Sequence, residues 1–109
     1  MLEFIMGVHF MIAIYTKRYS TFFRRMVEEY QEGCSVQIDR KVYRENEIPD
    51  LISTWCKNKI ILNTRDFTLL RDKKQLFGFH DHPEETWAEP SEMEFIKRMA
   101  KEHIIRYTM

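Results

Sequence analysis

The stretch Phe67–His80, FTLLRDKKQLFGFH, decides the fold that this sequence predicts. Two β-prone runs, at 67–71 and 75–80, flank a short polar link at residues 72–74. Strand-forming residues on both sides of such a link are typical of an antiparallel β-hairpin. The sequence therefore predicts a sheet that contains this hairpin.

Five other segments extend the predicted sheet. Residues 8–15 are β-rich and apolar on both faces, as in a buried central strand. Residues 36–38 alternate in a short strand that turns toward a second one at 42–43. Residues 60–63 begin with an apolar run that is typical of a buried strand. The β-prone residues 104–107 predict an edge strand.

Three helices are predicted, at 21–32, 49–57 and 92–103, because apolar residues recur there at the spacing of one helix face. Ser91 and Glu94, three positions apart at the start of the third helix, form the pattern of a capping box. Several hairpins, short links and three helices indicate an α+β domain. We expect a mixed, largely antiparallel sheet with three helices.

The length of 109 residues predicts one small domain, 1–109, that can bury a single core. Met1, Met6 and Met11 are all plausible starts, so residues 1–10 are a candidate N-terminal extension. Lys+Arg and Asp+Glu are both 17, which gives zero formal net charge. A dedicated nucleic-acid binder usually carries a basic excess, so this balance disfavours that class.

The two cysteines, Cys34 and Cys56, lie in apolar surroundings and predict buried, reduced thiols of an intracellular protein. The apolar run Phe4–Tyr15 is shorter than the roughly 20 residues that a transmembrane helix needs. It follows Glu3 rather than the cationic start of a signal peptide. The expected location is therefore the cytoplasm, without membrane association.

The first predicted helix carries charges opposite to those that its dipole favours. Lys17 and Arg18 precede it, Arg24 and Arg25 lie in its first turn, and three glutamates follow at 28–32. A cationic helix start of this kind has the composition of an anion-binding site, for a phosphate, for RNA or for an acidic partner loop. Alternatively, these charges form a solvated surface.

The segment around His80 and His82 has the densest set of reactive side chains in the chain. Two histidines two positions apart on a strand share one face, so they could ligate one metal ion. A zinc site needs a third protein ligand, and spacing places none of the candidates, which are Glu84, Glu85, His9 and His103. In the alternative interpretation, both histidines lie at a strand end and hydrogen-bond to Asp81, backbone or water. We therefore expect no metal and no other cofactor.

An acidic loop is predicted at 81–89, and residues 81–94 hold six carboxylates and no lysine or arginine. Trp87 lies in the middle of this segment, and tryptophan is enriched among the residues that dominate binding energy at interfaces. The predicted partner-binding residues, which would dock on a cationic groove of another protein, are Trp87, Glu84, Glu85 and Asp81. Alternatively, Trp87 packs against the third helix as part of the core.

No motif for catalysis is present, because the sequence lacks G-x-S-x-G and its three glycines are too scattered for a phosphate-binding loop. These observations favour a small cytoplasmic, non-enzymatic binding or regulatory protein that contacts another protein through the acidic loop, in the manner of inhibitor and immunity proteins. Two alternatives stay open. One is a small metal-dependent hydrolase that uses the His-Asp-His segment. The other is an anion-binding or RNA-binding module that uses the start of the first helix.

Overall fold

The predicted hairpin lies in the middle of an antiparallel sheet in a computed structural model that describes residues 11–58 and 60–109. Its strands are β4 (Asp66–Arg71) and β5 (Lys74–His80). The two residues between them, Asp72 and Lys73, both have positive φ. Two successive positive φ values are those of a type I′ turn, whose twist matches the twist of the flanking strands. The predicted hairpin is therefore confirmed.

Seven strands form one sheet in the order β3-β2-β4-β5-β6-β1-β7, and all of its pairings are antiparallel. The other strands are β1 (Ile12–Tyr15), β2 (Cys34–Ile38), β3 (Lys41–Tyr43), β6 (Glu85–Ala88) and β7 (Arg106–Thr108). Part of the first predicted strand lies outside the described residues, and His9 lies wholly outside them. The α+β class is confirmed, and β7 is the edge strand that the sequence predicts.

Three helices begin within two residues of their predicted starts: α1 (Tyr19–Glu29), α2 (Ile48–Lys57) and α3 (Met93–Lys101). The predicted capping box at the start of α3 is wrong. A 3-10 turn precedes this helix, and the Ser91 hydroxyl donates to the Glu92 carboxylate instead of capping a backbone N–H.

All three helices pack on the same face of the sheet. Aromatic rings from α1 and α2 contact the rings of Phe67 and Phe79, while Phe95 of α3 contacts Phe77. These three sheet residues are almost fully buried, as is Phe95. Burial of such rings supplies most of the hydrophobic stabilisation of a small domain.

The predicted strand at 60–63 is wrong, because Ile60–Asn63 forms a 3-10 turn. Only Ile61 of the apolar run is buried, whereas Ile60 is 45% exposed and Leu62 is 52% exposed. Thr64 closes this turn, since its hydroxyl donates to the carbonyl of Ile60 and accepts from Trp55 Nε1–H at 2.8 Å. An apolar run of this length has no periodicity that distinguishes a strand from a helical turn.

Both cysteines are free and buried, as predicted. Burial raises the pKa of Cys34 and raises the pKa of Cys56 to about 11, so both thiols stay protonated at neutral pH. Among the described residues, none of the helices has the length and apolar character that crossing a bilayer would require.

The sheet has a second face, which we call the open face because the three helices all pack on the other side. Strand alternation and pairing define its members. They include Ala13, Tyr15, Gln37, Val42, Thr68, Gly78, Glu85 and Trp87, together with Arg106 and Thr108, which pair with Tyr15 and Ala13. The open face is therefore where the structure presents side chains that the helices do not cover.

Candidate functional site

Trp87 lies on strand β6 in the interior of the sheet, so the predicted loop at 81–89 is wrong over Glu85–Ala88. The reason is visible in the alternation of this segment. Thr86 and Ala88 point into the core and are buried, while Glu85 is exposed and Trp87 is half-buried on the open face. The sequence itself shows no apolar alternation here, because Trp87 and Ala88 are adjacent and one of the two inward residues is Thr86.

The indole of Trp87 lies over Gly78, its partner on β5. A Cβ atom at Gly78 would lie 2.7 Å from Trp87 Cε2 and 2.8 Å from the carbonyl oxygen of Phe67. Glycine is therefore required here, because only a residue without a side chain lets the ring lie this close to the backbone. The ring is held by the sheet rather than by α3, so the alternative of packing on the third helix is not what the structure shows.

Met11 and residues of β1 and β6 line a cavity of about 280 Å³, and four of these strand residues lie on the open face. Ala13 pairs with Trp87, and Tyr15 pairs with Glu85, so the four side chains occupy the corners of a rectangle. We call this cavity the Trp87 slot and define it by Ala13, Tyr15, Glu85 and Trp87. Tyr15 is 39% exposed, which makes it one of the more exposed large apolar side chains of the described residues.

Three acidic residues of segment 81–94 have basic neighbours, two from other parts of the chain and one from within the segment. Asp81 accepts from Arg65 Nε at 3.3 Å, and Glu84 Oε1 lies 3.1 Å from His82 Nδ1. Lys74 lies 3.8 Å from Glu89. The local charge run is therefore partly neutralised in the fold, which a one-dimensional pattern could not indicate.

His80 lies between two carboxylates. Its Nδ1 is 2.5 Å from Asp66 Oδ1, and its Nε2 is 3.1 Å from Asp81 Oδ2. A neutral imidazole has one N–H, so both contacts become hydrogen bonds only when the ring is protonated. The hydrogen bond to Asp66, with the charge of Asp81, accordingly raises the pKa of His80.

The two candidate metal ligands do not share a site. Strand β5 ends at His80, and Asp81 has a positive φ of 65°, so His82 leaves the strand and contacts Glu84. Within 11–58 and 60–109, no three histidine, cysteine or acidic residues are grouped to hold a metal ion. The contacts of both histidines with carboxylates at the strand end match the alternative interpretation.

The four cations of the predicted anion site lie in three different places. The helix α1 begins at Tyr19, so Arg24 and Arg25 fall in its second turn, and the prediction of the first turn is wrong. Arg25 makes two hydrogen bonds with Glu102 near the end of α3, at 2.8 and 3.0 Å. Arg24 instead lines a groove between α1 and α2.

The reversed charges of α1 are matched by α3. Glu29 near the end of α1 pairs with Arg98, just as Arg25 pairs with Glu102. These contacts lower the pKa of both glutamates through hydrogen bonds from the two arginines. The charge pattern of α1 therefore has a structural reason, which lay about 70 residues away in sequence.

Lys17 and Arg18 do line a cleft, of about 540 Å³, at the end of strands β1, β6 and β7. His103 and Arg106 lie in the same cleft, and sequence reasoning assigned neither of them to an anion site. Glu84 and Glu85 also line it, so the cleft carries both signs of charge. Its members come from three separate segments, 15–18, 84–85 and 103–106, and no local motif could have joined them.

Comparison with models of protein families, with curated proteins and with solved structures finds no match to this chain.

Proposed function

We propose that this chain is a non-enzymatic binding or regulatory protein of the cytoplasm that contacts a protein partner through the open face around Trp87. One observation carries this proposal. Two large aromatic side chains, Trp87 and Tyr15, lie partly exposed on a sheet face that the three helices do not cover. Partly exposed aromatic groups on a rigid support are typical of the residues that dominate interface energies.

The support for Trp87 is rigid, which favours binding. Strand β6 pairs with β1 on one side and with β5 on the other, and Gly78 fixes the indole against the backbone. An anchor that is already ordered loses little conformational entropy when a partner covers it. The partner would gain the burial of the indole at low cost.

The carboxylates form a border around this aromatic centre. Asp81, Glu84 and Glu85 are all exposed, and the first two contact basic side chains of this chain. Exposed ion pairs contribute little affinity but influence the association rate of charged partners. We therefore assign affinity to Trp87 and assign steering to the carboxylates.

The test begins with affinity purification of the tagged full chain and mass spectrometry, followed by calorimetry with the partner that is found. Trp87→Ala should weaken binding by about 2 kcal/mol or more, as truncation of a dominant interface residue does. The matched control is Val42→Ala, because Val42 is 55% exposed on the far edge of the same face. A partner whose affinity is the same for wild type and Trp87→Ala would contradict the proposal.

Neutralising the border tests the steering role separately. Glu84→Gln together with Glu85→Gln should slow association, and the difference from wild type should fade with added salt because exposed charges are screened. An unchanged association rate at low salt would remove the carboxylates from the proposal but would leave Trp87 in it.

A second candidate function is anion binding in the cleft that Lys17 and Arg18 share with His103 and Arg106. In that case inorganic phosphate should raise the melting temperature of wild type but not of a variant with Arg18→Gln and Arg106→Gln. Arg24→Gln is the matched control, because Arg24 lies in a different groove. Equal melting temperatures of wild type with and without phosphate would remove this candidate.

A further inference from the structure

We propose that the Trp87 slot binds a cationic side chain, the guanidinium of an arginine or the ammonium of a lysine, that the protein partner presents. This inference rests on the proposed function and names the chemistry that the same site would recognise. It concerns the four residues at the corners of the slot and no other part of the open face.

The strand register produces the cavity. Directly paired residues on one sheet face have Cβ atoms about 4.5–5.5 Å apart, and diagonal neighbours also stay within reach of each other's side chains. Trp87 and Tyr15 are such diagonal neighbours, and Glu85 lies between them on β6. The fourth corner is Ala13, whose methyl group leaves the space between the larger side chains open.

The walls of the slot have the chemistry of a cation site. An aromatic ring attracts a cation at its face, and two rings beside one carboxylate offer both cation–π attraction and charge. Glu85 is exposed, and no ion pair within the described part of the chain involves it. Its carboxylate therefore stays available to a partner, unlike the carboxylates of Asp81 and Glu84.

Three cations of this chain, Lys17, Arg18 and Arg106, line the cleft that Tyr15 and Glu85 also line. Arg106 pairs with Tyr15 on the side away from Glu85 and lines the neighbouring cleft. The cation–π contacts in the described residues involve Tyr43, Tyr30 and Phe95, and none involves Tyr15 or Trp87. Arg106 therefore does not occupy the slot, but its positive charge repels an external cation. Removal of this charge should strengthen binding of such a cation.

The slot is formed before a partner arrives. Gly78 leaves space for the indole to lie against β5, and β1 and β6 are paired along their whole length. A preformed site does not have to be ordered at the moment of binding, which raises its affinity for a small group. An isolated arginine residue in a short peptide is therefore a sufficient probe.

The experiment uses the ¹⁵N-labelled full chain and two peptides that are N-acetylated and C-amidated, Gly-Arg-Gly and its neutral analogue Gly-citrulline-Gly. The arginine peptide should shift the indole N–H signal of Trp87, whereas the signal of Trp55 should stay, because Trp55 is buried and donates to Thr64. The citrulline peptide should leave both signals in place. Equal shifts by the two peptides, or no shift of the Trp87 signal, would overturn the proposal.

Variants connect the peptide response to the slot. Glu85→Gln should weaken binding of the arginine peptide about threefold or more, which is the size of an exposed ion pair. Arg106→Gln should strengthen it, and Ala13→Leu should abolish it by filling the cavity. Glu84→Gln is the matched control because Glu84 does not line the slot. If Ala13→Leu fails to fold, Tyr15→Leu and Glu85→Gln give the same test, and unchanged peptide binding in both would overturn the proposal.

The partner found by affinity purification separates this inference from the proposed function. If Trp87→Ala weakens the complex but Glu85→Gln and Ala13→Leu do not, the open face binds the partner and the cation slot is wrong. If the arginine peptide binds in the slot but no partner depends on Trp87, the slot stands and the proposed function fails.

Discussion

The two tryptophans show how differently the two faces of the sheet are built. Trp55 belongs to α2 and is 1% exposed between this helix and the sheet, where its ring stacks on Phe67 with a centroid distance of 5.1 Å and its N–H donates to Thr64. Trp87 is half-buried on the open face, where its ring lies on the backbone of Gly78. Side chains from several elements hold the ring of Trp55 in place. The ring of Trp87 can lie on the sheet because Gly78 has no side chain.

This contrast assigns different tasks to the two faces. On the covered face, aromatic rings from helices and strands interlock, so each ring contributes to the stability of the whole fold. On the open face, the residues next to Trp87 in its row are small, namely Ala13 and Gly78. A large side chain among small neighbours leaves space that another molecule can fill.

The largest expected effect is on stability at the covered face. Trp55→Ala should cost about 3–5 kcal/mol of unfolding free energy, because it opens a cavity and leaves Thr64 without its donor. Trp87→Ala should cost clearly less, since Trp87 is only partly buried and one side of its ring faces solvent. Urea denaturation of both variants checks this comparison, and equal losses would show that Trp87 is as much a core residue as Trp55.

Gly78→Ala should have the next largest effect. The new methyl group would meet both the indole of Trp87 and the carbonyl oxygen of Phe67, and the latter cannot move without the strand. Overpacking of this kind costs about 1–3 kcal/mol. Tryptophan fluorescence should also report greater exposure of Trp87. A Gly78→Ala variant with wild-type stability and fluorescence would show that the indole does not need the glycine.

Lys73→Gly should act in the opposite direction and serves as a control for both faces. Lys73 has a φ of 66°, a conformation that glycine adopts without steric cost. The change should stabilise the protein by up to about 1 kcal/mol, because the left-handed conformation costs a residue with a side chain about 1–2 kcal/mol, whereas the extra chain entropy of glycine costs about 0.5–1 kcal/mol. Partner affinity should stay the same, because the turn belongs to neither face. Thermal melts and calorimetry measure the two quantities.

The smallest expected effect is the pH dependence from His80. Its pKa is raised by Asp66 and Asp81, so its contribution to stability is fully present below the ordinary histidine value, about 6.5, and is lost as pH rises through the raised value. Melting temperatures of wild type and His80→Gln should therefore differ most in acid and converge in alkaline solution. A difference that grows with pH would contradict the paired imidazolium. His82→Gln is the matched control.

Local pattern was sufficient for the elements whose signal is periodic. The hairpin at β4 and β5 and the three helices follow from apolar spacing and from polar links, which act over a few residues. The strand predicted at 60–63 was wrong because a hydrogen bond between the side chains of Trp55 and Thr64 stabilises a 3-10 turn there. The sequence predicted a loop in place of β6, because this short strand is stabilised by pairing with β1 and β5 and not by a local pattern.

The candidate site was predictable in part for the same reason. Trp87 and Glu85 stand out in the sequence, but Ala13 and Tyr15 become their neighbours only through the pairing of β1 with β6. The four cations of the predicted anion site do not stay together in the fold. Arg25 forms an ion pair with Glu102, whereas Lys17 and Arg18 line a cleft with His103 and Arg106. The sequence indicated which residue types could bind a partner, whereas the strand register determines which of these residues are neighbours in the fold.

The position of β1 between β6 and β7 has a consequence for the synthesis of this protein. Strands β2 to β5 lie within residues 34–80 and can pair as soon as they leave the ribosome. Strand β1 is made before them, yet both of its partners are made after them, and the Thr16 hydroxyl must find the carbonyl of Ile104 across 88 positions. Contacts of such long range form slowly. Until they form, Ile12 and Ile14 stay exposed on the nascent chain, where chaperones recognise apolar segments of this kind.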